Sequence, residues 1–202
     1  MNSSSFEQKL EQFNEFFTIE HEFSVNVALL SKEKTYDYQS FINNMPTPFK
    51  MASNMATLDQ AALRPLQALS GVAGQLVDYL NHQAQKIDLL MGYILSQQVE
   101  EENHYQGISF GGGGITFTSE HPFNMADYVE LKIFMQDDNC AVYCCGEIIE
   151  VNPSEDKSLY KVIFHFIRDE DREILVRASL HKQSEQLKAL SKKRQQSANS
   201  QE

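Results

Sequence analysis

The sequence predicts an α+β fold: a six-stranded antiparallel β-barrel with a C-terminal helix and a long coiled-coil helix inserted after the first strand. Three observations carry this expectation. Residues 104–166 alternate apolar and polar in short runs divided by turn residues, the texture of a small barrel. Within residues 62–97 a four-and-three spacing runs without a break through eleven positions, apolar at all but Gln83 and Gln97. From Asp169 the apolar residues return to a helical period. At 42% hydrophobic and 22% charged residues, a chain of 202 residues has enough apolar surface to bury a core.

The elements follow in order. Phe6, Leu10, Phe13 and Phe17 share one face of a first helix, Ser5 to Phe17, with Ser5 at its N-cap. In Glu22 to Leu30, Phe23, Val25, Val27 and Leu29 alternate with Ser24, Asn26 and Ala28, which predicts a half-buried strand. Residues 31–54 predict a short helix around Tyr38 and Phe41, then a loop, because Pro46 and Pro48 break regular structure.

The heptad segment carries the strongest periodicity. Leu66, Ala73, Leu80, Ile87 and Ile94 fall at a, and Leu69, Leu76, Gln83 and Leu90 at d. Such a seam keeps one stripe facing a partner helix, and Gln83 places one polar group in it to fix register. The flanking e and g positions, with Val77, Tyr79, Ala84, Met91 and Tyr93, are largely apolar. So wide a stripe fits a bundle of more than two helices, or a helix packed also on its own domain. The seam predicts a homo-oligomer, with a tetramer favoured. The helix is expected to end near Glu100 to Asn103, where three acids oppose its dipole.

Beyond it, Tyr105 to Phe110, Gly111 to Gly114 and Ile115 to Phe117 read as a hairpin in which the glycines supply positive φ. Tyr128 to Met135, Ala141 to Val151 (with Gly146 at a bulge) and Leu159 to Phe166 complete the strands. The last helix starts at Asp169, and the polar tail from Lys192 is expected to be disordered. The chain thus divides into an N-terminal helix and strand (1–31), a linker with the oligomerisation helix (32–102), the rest of the barrel with its helix (103–183), and a helix end and tail (184–202).

Charge and side-chain chemistry narrow the function. A net charge of −11 repels polyphosphate backbones and argues against nucleic acid. No apolar run is long enough to insert into a membrane, and the polar Met1 to Phe6 predicts no signal peptide, so a cytoplasmic protein is expected. Cys140, Cys144 and Cys145 predict reduced thiols; Cys144 and Cys145 point to opposite faces of a strand and cannot share a metal. The six histidines form no metal-binding spacing, and no nucleophile–base or paired-acid constellation is visible, so no enzyme, metal or cofactor is expected.

Taken together, Tyr105 to Phe117, Asn124 to Met135 and Tyr160 to Gln183 resemble the PilZ domain, the bacterial receptor module for cyclic di-GMP. "YQGISFGGGGITF", Tyr105 to Phe117, looks like the family's D/N-x-S-x-x-G motif with its flanking strands. "NMADYVELKIFM", Asn124 to Met135, has the texture of the next strand, and "YKVIFHFIRDEDREILVRASLHKQ", Tyr160 to Gln183, that of the closing strand running into a helix. The heptads ending "QKIDLLMGYILSQQ" resemble the atypical, tetramer-forming branch of the family. The resemblance implies Ser109, Gly111, Gly112 and Gly114 as the ligand-contacting positions and cyclic di-GMP as the one candidate ligand.

This sequence departs from the family where the ligand binds. Cyclic di-GMP-binding members carry an R-x-x-x-R motif before the first strand. The matching stretch here is "FFTIEHE", Phe16 to Glu22, or "EEENHYQ", Glu100 to Gln106; neither contains Arg. No Lys or Arg occurs from Leu10 to Ser31 or from Ile87 to Leu131. Aligned without a gap, Ser109, Gly111 and Gly114 stand at the motif's Asp/Asn, Ser and Gly; aligned on the serine, Gly107 replaces the Asp/Asn, and Gly112 is the Gly. Arginine supplies bidentate donors to phosphate and to guanine O6 and N7, so its absence removes most of the usual affinity. The resemblance therefore implies a signalling adaptor that assembles with itself and works through contacts to a further protein. The alternative is a cyclic di-GMP receptor with a non-standard or intersubunit site using Arg168, Arg172 or Arg177.

Overall fold

A computed structural model describes residues 3–30, 37–52, 72–135 and 140–199 of the protein. Helix α1 spans Ser3–Glu15 and leads into strand β1, Thr18–Leu29. Helix α2, Tyr38–Asn44, is followed by a helical segment over 47–52. The long helix α3, Val72–Ser96, and a short 3-10 turn, Glu101–Asn103, precede β2, His104–Gly111. Then come β3 (Gly114–Ser119), β4 (Tyr128–Met135), β5 (Cys140–Asn152), β6 (Ser158–Phe166) and α4 (Asp169–Asn199).

The six strands close into a barrel in the order β1-β2-β3-β6-β5-β4, and every neighbouring pair is antiparallel. Alternation places Val25, Val27, Phe110, Ile115, Phe117, Leu131, Ile133 and Val162 inside it, together with Leu175 of α4. The register slips between Cys145 and Gly146, as the lone glycine in that strand predicts. A side chain at Gly146 would meet Val162 Cγ1 at 2.3 Å.

Strand β5 has no solvent face: residues 141–149 are all buried. Cys144 points into the barrel, while Tyr143 and Cys145 face a second core outside it. Burial pushes the Cys144 thiol well above its usual range, with the neighbouring Cys145 adding to the shift. The second core gathers Phe41, Met45 and Phe49 from the 38–52 region, Met91 and Leu95 from α3, and Phe134 from β4. Phe41 stacks on Tyr143 with ring centroids 5.6 Å apart.

Several boundaries differ from expectation. The loop expected at Pro46 and Pro48 is a helical segment, because proline is tolerated in a first turn, and this places Phe49 in the second core. Helix α3 ends at Ser96, so Glu100 to Glu102 lie beyond its C-terminus rather than against its dipole. Phe17 follows α1 and is exposed, while Phe13 takes the buried position on Ile149 and Ile163. The tail expected to be disordered from Lys192 is helical through Asn199. Its long run of helix-favouring Gln, Lys, Ala and Leu explains the extension. The expected turn Gln136 to Asn139 and the seam positions Leu66 and Leu69 lie outside the described residues.

Candidate functional site: a glycine turn and a helical seam

The glycines sit at one mouth of the barrel, between β2 and β3. They were expected to supply positive φ, yet none of Gly111 to Gly114 adopts it. The turn needs glycine for space. A Cβ at Gly111 would lie 2.1 Å from the Phe17 carbonyl oxygen, and one at Gly114 2.0 Å from that of Val162. At Gly112 it would meet Val176 Cγ2 at 2.8 Å and the Phe16 ring at 2.9 Å. All four glycines are buried.

Their neighbours come from both chain ends. Phe13 and Phe16 pack on the turn from the N-terminal side, and Val176 from α4. Arg172 donates from Nη1 to the Gly112 carbonyl oxygen, and its guanidinium lies 5.4 Å from the Phe16 ring centroid. The Phe164 N–H donates to the Gly113 oxygen at 2.9 Å. Ser109, two residues before the turn, is half-buried within β2, opposite Glu20 of β1 and Thr116 of β3. The structure thus brings Gly111, Gly112 and Gly114 together and holds Ser109 back in the sheet.

The other two arginines are also engaged. Arg168 donates through Nε and Nη2 to the buried Asp171 carboxylate at 2.7 and 3.0 Å, and through Nη2 to the Phe49 oxygen at 3.4 Å. That contact ties the second core to the start of α4. Arg177 pairs with Glu173 one turn back at 2.8 Å and remains largely exposed. Lys9, in α1, meets both oxygens of the buried Glu147 at 2.6 and 2.7 Å, which fastens α1 to β5. At the opposite mouth, a polar cleft of about 370 Å³ is lined by His104, Gln106, Ser119, His121 and Lys157, far from the glycines.

The seam presents the opposite environment. Leu76, Leu80, Ile87, Leu90 and Ile94 are between 39% and 65% exposed, although every one is a large aliphatic residue. Gln83 is half-buried, and Ala73 lies in α3. The side of α3 that meets its own barrel is a different one, carrying Met91 and Leu95. Tyr79, Leu89 and Tyr93 widen the exposed apolar arc beyond a and d. Sequence spacing located this arc but assigned Met91 to its flank; the i, i+4 partner Leu95 is the signal that Met91 packs inward.

The barrel with its closing helix is that of the PilZ domain, whose family model matches residues 86–181. The chain thus carries a PilZ domain over these residues. The match begins within α3, so β1, which closes the barrel, lies outside it. Among solved structures the chain is similar to a tetrameric PilZ domain protein of Xanthomonas campestris, described as self-assembled via an unusual helical bundle. Identity is 12%, over 88% of this chain and 96% of that one, with a TM-score of 0.56. Partial likenesses, both with a TM-score of 0.38, join it to two others. The PilZ domain of Escherichia coli YcgR with cyclic di-GMP is 10% identical over 46% of this chain and 83% of that one. The Bacillus subtilis inhibitor of motility MotI/DgrA is 14% identical over 41% and 42%. No curated protein matches the sequence. Among the described residues no helix is long and apolar enough to cross a membrane.

Proposed function

We propose that this protein is a self-assembling, non-enzymatic adaptor of cyclic di-GMP signalling that works through protein contacts. The observation that carries the reading is the division of α3: Met91 and Leu95 serve the chain's own core, while the a and d residues stand in solvent. Fully burying a Leu or Ile stabilises by about 1.5–3 kcal/mol, so the exposed row holds enough free energy to drive association. Its breadth favours a tetramer, since a helix in a four-helix bundle meets two neighbours. The tetrameric description of the Xanthomonas campestris protein agrees with this stoichiometry.

The same protein does not hold cyclic di-GMP in the usual pose. The entry to β1 has no arginine, and the glycine backbone is occupied by Phe13, Phe16, Val176 and Arg172. The test has two arms. Sedimentation at tens of micromolar is expected to give a tetramer, and Ile87→Lys with Leu90→Lys a smaller species, because buried unpaired ammonium groups are costly. A monomeric wild type would end the assembly reading. Calorimetric titration with cyclic di-GMP is expected to give no saturable heat at low micromolar protein. A clear binding isotherm would instead establish a receptor with a site elsewhere.

A further inference from the structure

Helix α4 is longer than its barrel requires. Its first half packs through Leu175 and Ala178, and the last hydrogen bond to the barrel runs from Gln186 Nε2 to the Glu20 oxygen at 2.8 Å. At 1.5 Å per residue, residues 187–199 extend about 20 Å further. Leu180, Leu187 and Leu190 are each more than half exposed, and their spacing places them on one arc of the helix. Lys188 and Lys192, four residues apart, share another face.

Charge along the chain is strongly segregated. Residues 180–199 hold Lys182, Lys188, Lys192, Lys193 and Arg194 against Glu185, a net of +4 within a chain of net −11, leaving −15 for the rest. The complementary surface is on α1. Glu7, Glu11 and Glu15 recur every four residues along one exposed face, and the exposed Phe17 follows at its end. Among the described residues, neither these three carboxylates nor Lys188 and Lys192 have an ion-pair partner.

We propose that the extended end of α4 docks on the Glu7–Glu11–Glu15 face of α1 in a second copy of this chain. The four-residue spacing of Lys188 and Lys192 matches that of the carboxylates, so the lysine face of α4 meets the exposed carboxylate face of α1. The proposal rests on the assembly through α3, which holds copies close enough for a weak contact to form at high effective concentration. A bilayer with anionic headgroups fits less well, because the −15 of the remaining chain repels it.

The experiment uses two full-length variants, Lys188→Glu with Lys192→Glu, and Glu11→Lys with Glu15→Lys. Each alone is expected to weaken assembly about tenfold in dissociation constant at low salt, since two exposed ion pairs become two repulsions. Mixing the two variants should restore the wild-type constant through hetero-oligomers, and 0.5 M salt should erase the difference. Mixing without any gain would overturn the proposal, because a contact within one chain cannot be repaired by another. Unchanged assembly in both variants would overturn it too. Wild-type binding to phosphatidylglycerol vesicles that is lost in Lys188→Glu with Lys192→Glu would replace it with a membrane role. These outcomes are separable from the seam, whose own variants, Ile87→Lys with Leu90→Lys, leave both charged faces intact.

Discussion

The glycine turn and the α3 seam are both places where the chain needs close approach, and they resolve that need in opposite ways. At the turn, two chain ends converge on four small residues and fill the space around them. Along the seam, the chain supplies large residues that stand exposed among the described residues. A closed region stabilises the fold it belongs to. An open apolar region stabilises only the assembly that closes it. Comparing the two therefore separates what this chain does for itself from what the proposed assembly would supply.

Substitutions test that separation, the largest effect first. Gly114→Ala places a Cβ between the Val162 carbonyl oxygen and the Phe13 ring, and backbone cannot move aside cheaply. A loss of about 3 kcal/mol in urea unfolding is expected, with the assembled species otherwise unchanged. Gly112→Ala meets only side chains, Val176 and Phe16, which can shift. It should cost about 1 kcal/mol, again with the seam unaffected. If both glycine variants proved neutral, the turn would not be sealed in solution.

The seam should behave in reverse. Ile87→Lys with Leu90→Lys changes exposed positions of the isolated chain, so barrel stability measured on the dissociated species should move by less than about 0.5 kcal/mol. Loss of the barrel's circular dichroism together with the oligomer would mean that fold and assembly are one transition. The smallest effect is expected from acid. Hydrogen bonds from Lys161 and then Asn152 hold the Glu150 carboxyl below its ordinary value, and burial only partly opposes them. A depressed carboxylate contributes stability that is complete above its unfolded pKa and fades as pH falls through the folded value. Because the pair is partly exposed, Lys161→Met should flatten the acid limb of stability below about pH 4.5 by roughly 0.5 kcal/mol.

Alternation made the barrel legible because its strands have a dry face. Val129, Leu131, Ile133 and Met135 recur every second residue and are all buried. Strand β1 begins four residues before the expected Glu22, since His21 interrupts the apolar row between Ile19 and Phe23 and a bulge falls there. The second core was harder to read. Phe41, Met45 and Phe49 stand four apart, a helical signal masked by two prolines. For the candidate site, spacing found the seam and the glycines, but not why glycine is needed. The atoms that demand it come from Phe13, Phe16, Phe17, Val162 and Val176, far apart in the sequence, and no local pattern contains them.

The position of the insertion has a consequence for the order of folding. Residues 30–103 separate β1 from the β2 strand it pairs with. Closing so long a loop costs about 2.5 kcal/mol more in chain entropy than closing a four-residue turn. Strands β2 to β6 are joined by short connections and can pair early, which leaves β1 to arrive last. A two-sided amide latch holds it there: Asn26 Nδ2 donates to the Glu100 oxygen at 2.6 Å, and the Glu100 N–H donates to Asn26 Oδ1 at 3.2 Å. Loop closure thus predicts that β1 joins the barrel last, and refolding of Asn26→Ala should show a slowed final phase while the earlier strands form at their usual rate.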